Sequence, residues 1–488
     1  MKKLVSCLAV AGLLMLGGSA IADLCTIEAT PAATLLLPYF EVNIDDPSGI
    51  DTFFSINNAS AAAALTHVIV WTDLSVEALD FNVYLTGYDV QTVGLGLIIR
   101  DGILPRTAKS ASVSPVGPYS GPGPYSYASC AGILPYTNPA LDADFLNHLQ
   151  SILTGGPSSI YNGRCGGLDY GDSIARGYVT VDVVNDCTLL RPCDEGYFFS
   201  AAAPYDGVGE YDNILWGDWY MIDYANNFAQ GDTLVHIEAV DPEDVIGQDT
   251  LNGTFYGRCG VSISHPVTAP DPWLDLRETL PTTFATRFYQ NAAFAGGTDL
   301  LVWRDSVIQT LIADLYPAYD QGAEGFECFL GAALWYPLSQ RQSIVFDEQE
   351  NPETVCTISP CPEADILFPA EAQRVSIPDL DIAPESGWIY LNLNQGPYIC
   401  EGGPCSLQSQ AWVTSVHSAE GRFSAGLAAI QLDNYCDNMS VLIGPYDDYP
   451  QYETTFNYFT SYYYGYFPKT AGSHDGSFVE QRVGNRGN

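Results

Sequence analysis

The run Gly177-Tyr178-Val179-Thr180-Val181-Asp182-Val183-Val184 decides the fold class of this chain. Val179, Val181 and Val183 fall on one side of a period-two pattern, with Tyr178, Thr180 and Asp182 on the other, which is the signature of a half-buried strand. Such a strand cannot satisfy its backbone alone, and runs that could pair with it recur along the sequence. Residues 34–40, 53–56, 67–72, 81–85, 234–239, 300–303, 343–346, 388–393, 411–416 and 427–432 all read as short apolar or alternating strands, parted by Gly, Pro, Asn and Asp. The spacing is uneven and several connections are long, which favours decorated sandwiches over a compact barrel. The expectation is a mainly β protein with two disulfide-braced β-sandwich domains, Ig-like or jelly-roll-like, carrying one or two short helices.

One of those helices is expected near residues 139–153. Asn138 is placed to cap it, Pro139 suits its first turn, Leu141, Phe145, Leu149 and Ile152 form an apolar stripe, and Gly155 ends it. His148 falls on the polar side of that pattern. Residues 306–315 form a second, more ambiguous helical pattern.

Gly177-Tyr178-Val179-Thr180-Val181-Asp182 has an echo in Gly387-Trp388-Ile389-Tyr390-Leu391-Asn392, and each run leads on to a cysteine, Cys187 or Cys400. Two further landmarks recur in the same order. Phe53, Asn58 and Trp71 are echoed by Phe288, Asn291 and Trp303, and Trp219 by Trp412. Three landmarks in one order point to duplication of a β domain. The Pro-bearing stretch 265–281 is the natural junction, giving a first domain over 23–265, a second over 266–470 and a flexible tail over 471–488.

Residues 1–22 read as a secretory leader: Met1-Lys2-Lys3 is positive, the apolar run from Leu4 to Met15 is too short to span a bilayer, and Ala20-Ile21-Ala22 suits cleavage. The expected home is the periplasm or exterior of a bacterial cell. No later apolar run is long enough to predict a membrane span. Export bears on the 13 cysteines, because thiols in an oxidising compartment pair rather than hold metal. Cys7 leaves with the leader. Cys187/Cys193, Cys356/Cys361 and Cys400/Cys405 are close enough in sequence to staple local turns. The partners of Cys25, Cys130, Cys165, Cys259, Cys328 and Cys436 do not follow from the sequence.

The net charge of −40 excludes partners that need a basic surface. Nucleic acid and anionic lipid both require clustered Lys and Arg to neutralise phosphate, and beyond the leader only Lys109 and Lys469 remain as lysines.

Motifs for chemistry are sparse. No Gly-x-Ser-x-Gly elbow or His-Glu-x-x-His helix accompanies the six histidines, so no catalytic residue is assigned. Calcium is the reasonable cofactor for an exported, Asp-rich β-protein, and Asp45, Asp46 and Asp51 around Pro47-Ser48-Gly49 are the candidate oxygen ligands. Trp216, Trp219 and Tyr220, near Asp212, Asn213 and Asp218, are the aromatic cluster least like a core run and form the candidate ligand site, with carbohydrate as partner. Residues 456–467, aromatic on both faces of a would-be strand and without charge, invite self-association. The sequence therefore predicts an exported non-catalytic β-protein with a structural, adhesive or ligand-binding role. Its alternative is a secreted carbohydrate-active hydrolase using an Asp/Glu pair.

Overall fold

The computed structural model describes residues 29–106, 140–192, 194, 196–198, 207–239, 255–256, 277–291, 296–305, 338, 340, 342–352, 368–380, 382–394, 398–400, 403–405, 410–419, 423–432, 442–443 and 479–480. Over these residues the chain is mainly β, in several antiparallel sheets.

The first set of elements is β1 (Thr34–Asn43), β2 (Ile50–Asn58), β3 (Ala64–Thr72), β4 (Glu77–Leu85), β5 (Val90–Gly94), helix α1 (Leu95–Ile99), helix α2 (Ala143–Leu153), β6 (Ile174–Val184), β7 (Leu215–Trp216), β8 (Asp218–Asp223), β9 (Phe228–Thr233) and β10 (Val235–Ile237). The second set is β11 (Thr283–Asn291), β12 (Gly296–Arg304), β13 (Gln342–Asp347), β14 (Ala372–Ser376), a 3-10 turn (Ile377–Asp379), β15 (Ser386–Asn392), β16 (Tyr398–Cys400), β17 (Gly403–Cys405), β18 (Ala411–Ala419), β19 (Phe423–Ala428) and β20 (Ile430–Gln431).

The quoted run is the centre of the first sheet, β10-β1-β6-β3-β4. Val179, Val181 and Val183 of β6 are all buried in the main core with Leu35, Leu37, Val68 and Val70. A second sheet, β5-β2-β8-β9, turns Phe54, Ile56, Trp219 and Met221 into the same core.

The second set of strands repeats this pairing. Strand order β20-β11-β15-β13 matches β10-β1-β6-β3, and β14-β12-β18-β19 matches β5-β2-β8-β9. In both sets a helical turn follows directly on the edge strand, α1 after β5 and the 3-10 turn after β14. The Gly177 and Gly387 landmarks coincide in this frame. Gly177 lies opposite Phe40 and Thr72, and Gly387 opposite Phe288 and Asp347. A Cβ at Gly177 would strike the Trp71 carbonyl oxygen, and one at Gly387 the Phe346 carbonyl oxygen, so each glycine permits the same close approach of strands. The next residue in each run stacks on the strand opposite: Tyr178 on Trp71 with centroids 5.9 Å apart, and Trp388 on Phe346 at 4.2 Å.

The other two landmarks do not coincide. Phe53 and Trp71 lie in β2 and β3, whereas Phe288 and Trp303 lie in β11 and β12, which hold the places of β1 and β2. Trp219 points into its own core, whereas Trp412 pairs with Trp303 on the opposite side of its sheet. A one-residue slip reverses the face of every side chain in a strand, so similar strand sequences can match in the wrong register.

The two sets share one body. Leu301, Trp303, Ala372 and Val416 of the second set belong to the core of the first, where Trp303 meets Tyr178 edge-on and stacks on Phe255. Polar contacts join them too. Arg374 binds both Asp299 and Glu41, and Glu41 also receives the Tyr39 hydroxyl. Strand β9 lies against β19, with Ser424 hydrogen-bonded to the Ala229 backbone.

The helix starts later than its sequence pattern implies. Its cap is Asp142, whose carboxylate accepts from the Phe145 amide at 2.9 Å, rather than Asn138. Gly155 follows it at φ +78°, as expected of a helix end. His148 is buried, not on a polar face, with Nδ1 2.5 Å from Ser158 Oγ, and desolvation lowers its pKa.

Cys165 and Cys187 are both in disulfide linkage. Cys193, Cys356 and Cys361 lie outside the described residues, as do the leader, the 306–315 pattern and the 456–467 segment. The backbones of Cys400 and Cys405 end the two arms of the β16–β17 hairpin, in which Cys400 faces Gly403 and Cys405 faces Tyr398.

Candidate ligand-binding face

Strands β7 and β8 run in one unbroken register along β2, interrupted only by Gly217. A Cβ at Gly217 would strike the Ser55 carbonyl oxygen, so glycine is what lets the strand lie this close. Because side chains alternate, Trp216, Asp218 and Tyr220 share one face and Trp219 takes the other. The structure shows that division. Trp216 is 42% exposed and Tyr220 50%, whereas Trp219 is 1% exposed and belongs to the core. Of the three aromatic residues singled out in the sequence, the structure brings Trp216 and Tyr220 together and assigns Trp219 to packing.

Between the two exposed rings runs a polar ladder contributed by β2, which sequence reading missed. Asn57 lies opposite Trp216, and Phe53 opposite Tyr220. Asn57 Nδ2 donates to Ser55 Oγ at 2.9 Å, and Ser55 Oγ donates to Asp218 Oδ1 at 2.6 Å while accepting from the Asp218 amide at 3.2 Å. The Tyr220 hydroxyl donates to Asp218 Oδ2 at 3.0 Å, and that bond raises the phenol above its ordinary pKa. Asn57 Oδ1 is buried and has no hydrogen-bond partner among the described residues. Val90, on the far side of Asn57, is 60% exposed and borders the ladder.

The matching strand order supplies an internal comparison. Aligning the helical turns that follow β5 and β14 matches Asn57 with Trp303, Ser55 with Leu301, Trp216 with Trp412 and Tyr220 with Val416. In the second set these four positions are apolar and spent on packing, since Leu301, Trp303 and Val416 are buried in the first core and Trp412 packs against it. In the first set Trp216 and Tyr220 reach the surface with Asp218 half-buried between them, while Asn57 and Ser55 beside them are polar and buried, only 2% and 7% exposed. Internal packing therefore does not account for Trp216 and Tyr220.

The acidic candidates are distributed differently. Asp51 is buried and accepts from the Gly96 amide at 2.9 Å, with Arg100 3.3 Å away; desolvation raises its carboxyl, and Arg100 partly offsets that. Asp45 and Asp46 sit in an exposed turn. Asn43 Oδ1 accepts from both their amides, and Asp46 Oδ1 holds Ser48, which lowers its carboxyl. The three carboxylates do not converge, and no group of three or more metal-type side chains is gathered among the described residues.

Two carboxyls are strongly perturbed. Burial pushes Asp73 up to about 7, although it accepts from the Leu168 amide and the Tyr170 hydroxyl. Burial and the neighbouring Asp80 push Glu77 up to about 7; the two are hydrogen-bonded to each other, with Arg191 3.7 Å from Glu77. His67 Nε2 stands 3.5 Å from Asp80 Oδ2, close enough for an ion pair if protonated, but neither atom makes a hydrogen bond of good geometry. We treat that contact as electrostatic only.

No protein-family profile, curated protein or solved structure matches this chain.

Proposed function

We propose that the chain is an exported, non-catalytic β-protein of the bacterial periplasm or cell exterior that binds carbohydrate on the open face of its β5-β2-β8-β9 sheet. Two duplicated β-sandwich units, braced by local disulfides such as Cys187/Cys193, form the scaffold. The carrying observation is the pair of exposed rings, Trp216 and Tyr220, flanking the Asn57–Ser55–Asp218 ladder on a face whose counterpart in the second set is buried. Flat aromatic rings offer apolar area at little entropic cost, and a half-buried carboxylate such as that of Asp218 bonds hydroxyl groups, a combination suited to sugars.

The hydrolase reading has one foothold, the Glu77/Asp80 pair with its raised carboxyl. Arg191 beside Glu77 and His67 beside Asp80 account for the pair as a structural cluster.

The test is a thermal-shift screen of the full chain against soluble glycans, peptides and divalent cations, with incubation products checked for cleavage. Stabilisation by a glycan that Trp216→Ala removes, without cleavage, supports the reading. Turnover abolished by Glu77→Gln would replace it with the hydrolase.

A further inference from the structure

The dimensions and charge of the open face narrow the ligand beyond carbohydrate in general. Resting on the reading of that face as a ligand platform, we infer that it takes a linear, uncharged oligosaccharide laid along β7 and β8, with Trp216 and Tyr220 each stacking on a different sugar ring.

Length is the first argument. Trp216 and Tyr220 stand four residues apart on one continuous register, about 13 Å at the usual strand rise. That span exceeds one sugar ring, so a monosaccharide meets one aromatic or the other and only a chain meets both. The two rings lie along the strand direction rather than across the sheet, which favours an extended chain over a compact branched one.

Charge is the second. Asp218 sits midway between the rings, and both its oxygens are already held by hydroxyl donors, Ser55 on one side and Tyr220 on the other. Among the described residues no cation is bonded to this ladder, whose members are Asn57, Ser55, Asp218 and Tyr220. A uronate or sulfate would meet Asp218 in a protein that carries a net charge of −40. Sugar hydroxyls meet no such penalty, and the remaining lone pairs of Asp218 accept from them.

The competing occupant is a second copy of this chain, since the matching face of the second set packs on a sheet. The ladder argues against it. Asn57 and Ser55 stand where Trp303 and Leu301 make that packing apolar, and covering the half-buried Asp218 carboxylate and the Tyr220 hydroxyl with a hydrophobic sheet would take a charged group out of water.

Calorimetric titration of the full chain with neutral linear oligosaccharides of increasing length, and with uronate oligosaccharides of matched length, tests the inference. Light scattering alongside reads the mass. Affinity is expected to rise with length until both rings are spanned and then level off. Trp216→Ala and Tyr220→Ala should each weaken the long neutral chain about tenfold, and the uronates should bind at least tenfold more weakly than their neutral counterparts. Asp218→Asn should narrow that last gap. Should either alanine variant misfold, Trp216→Phe and Tyr220→Phe keep a ring and should retain most of the affinity. Equal binding of mono- and oligosaccharides, or tighter binding of uronates, overturns the inference and leaves the platform standing. A noncarbohydrate ligand lost in Trp216→Ala does the same. A dimer that Trp216→Ala dissociates, or no ligand at all, removes both.

Discussion

Trp216 occupies in the first set of strands the place that Trp412 occupies in the second, yet Trp216 faces solvent while Trp412 packs against the neighbouring core. The matching position thus serves surface in one set and interior in the other. Trp216→Ala should therefore change stability by less than ~0.5 kcal/mol, as a surface substitution does. Trp219→Ala, three residues on but buried, should cost about 3–5 kcal/mol. Urea denaturation of the two variants checks this; comparable losses would mean that Trp216 is structural.

Arg374 Nη1 lies 3.1 Å from Glu41 Oε2 and also binds Asp299, tying β14 and β12 to β1. The carboxylates are shielded and the guanidinium is partly exposed. Arg374→Ala should cost about 3 kcal/mol, because it takes the guanidinium from the buried Asp299 carboxylate and leaves Glu41 to the more distant Arg176, 3.9 Å away. Adding Glu41→Gln should recover part of that loss in a double-mutant cycle. Additive losses would mean that the pair does not couple the two sets.

Asp73 carries a carboxyl raised to about 7 by burial, against an ordinary value of 3.8. The folded chain therefore holds a proton there that the unfolded chain releases at lower pH. Its stabilising share is complete below about pH 4 and disappears as pH climbs through about 7. Asp73→Asn should flatten that decline, so that the wild-type-minus-variant difference in denaturation midpoint falls as pH rises from 4 to 7. Parallel slopes would contradict the assignment.

Gly177 and Gly387 sit where a Cβ would strike a carbonyl oxygen of the strand opposite, Trp71 in one case and Phe346 in the other. Alanine at either position should cost at least ~3 kcal/mol, at the severe end of overpacking because backbone cannot move aside. Soluble yield and circular dichroism of Gly177→Ala and Gly387→Ala provide the measurement. A well-tolerated alanine at either site would undo the equivalence of the two glycines.

The β class was legible because period-two runs such as 177–184 and 387–392 state their pairing surface directly. The equivalence of Gly177 and Gly387 was legible for the same reason. Strand parity is where the reading slipped. Matching Trp219 to Trp412 ignores which face each residue occupies, and counting by twos from Trp216 through Gly217 would have selected Trp216 and Tyr220 and set Trp219 aside. Asn57 and Ser55 carried no local signal at all. They reach Asp218 only because β2 pairs with β8 across some 160 residues of chain. The helix begins at Ala143, with Asp142 as its cap because the Asp142 carboxylate reaches the Phe145 amide; Asn138 lies outside the described residues.

The contact between Ser424 and Ala229 closes a rim. The Ser424 hydroxyl takes up both backbone groups of Ala229, so β9 is blocked at that point against a passing strand. Protection of the N-terminal portion is consequently delivered late, by chain synthesised almost two hundred residues afterwards. A fragment cut between the two sets would bare both margins at once, and only the whole chain keeps them against each other.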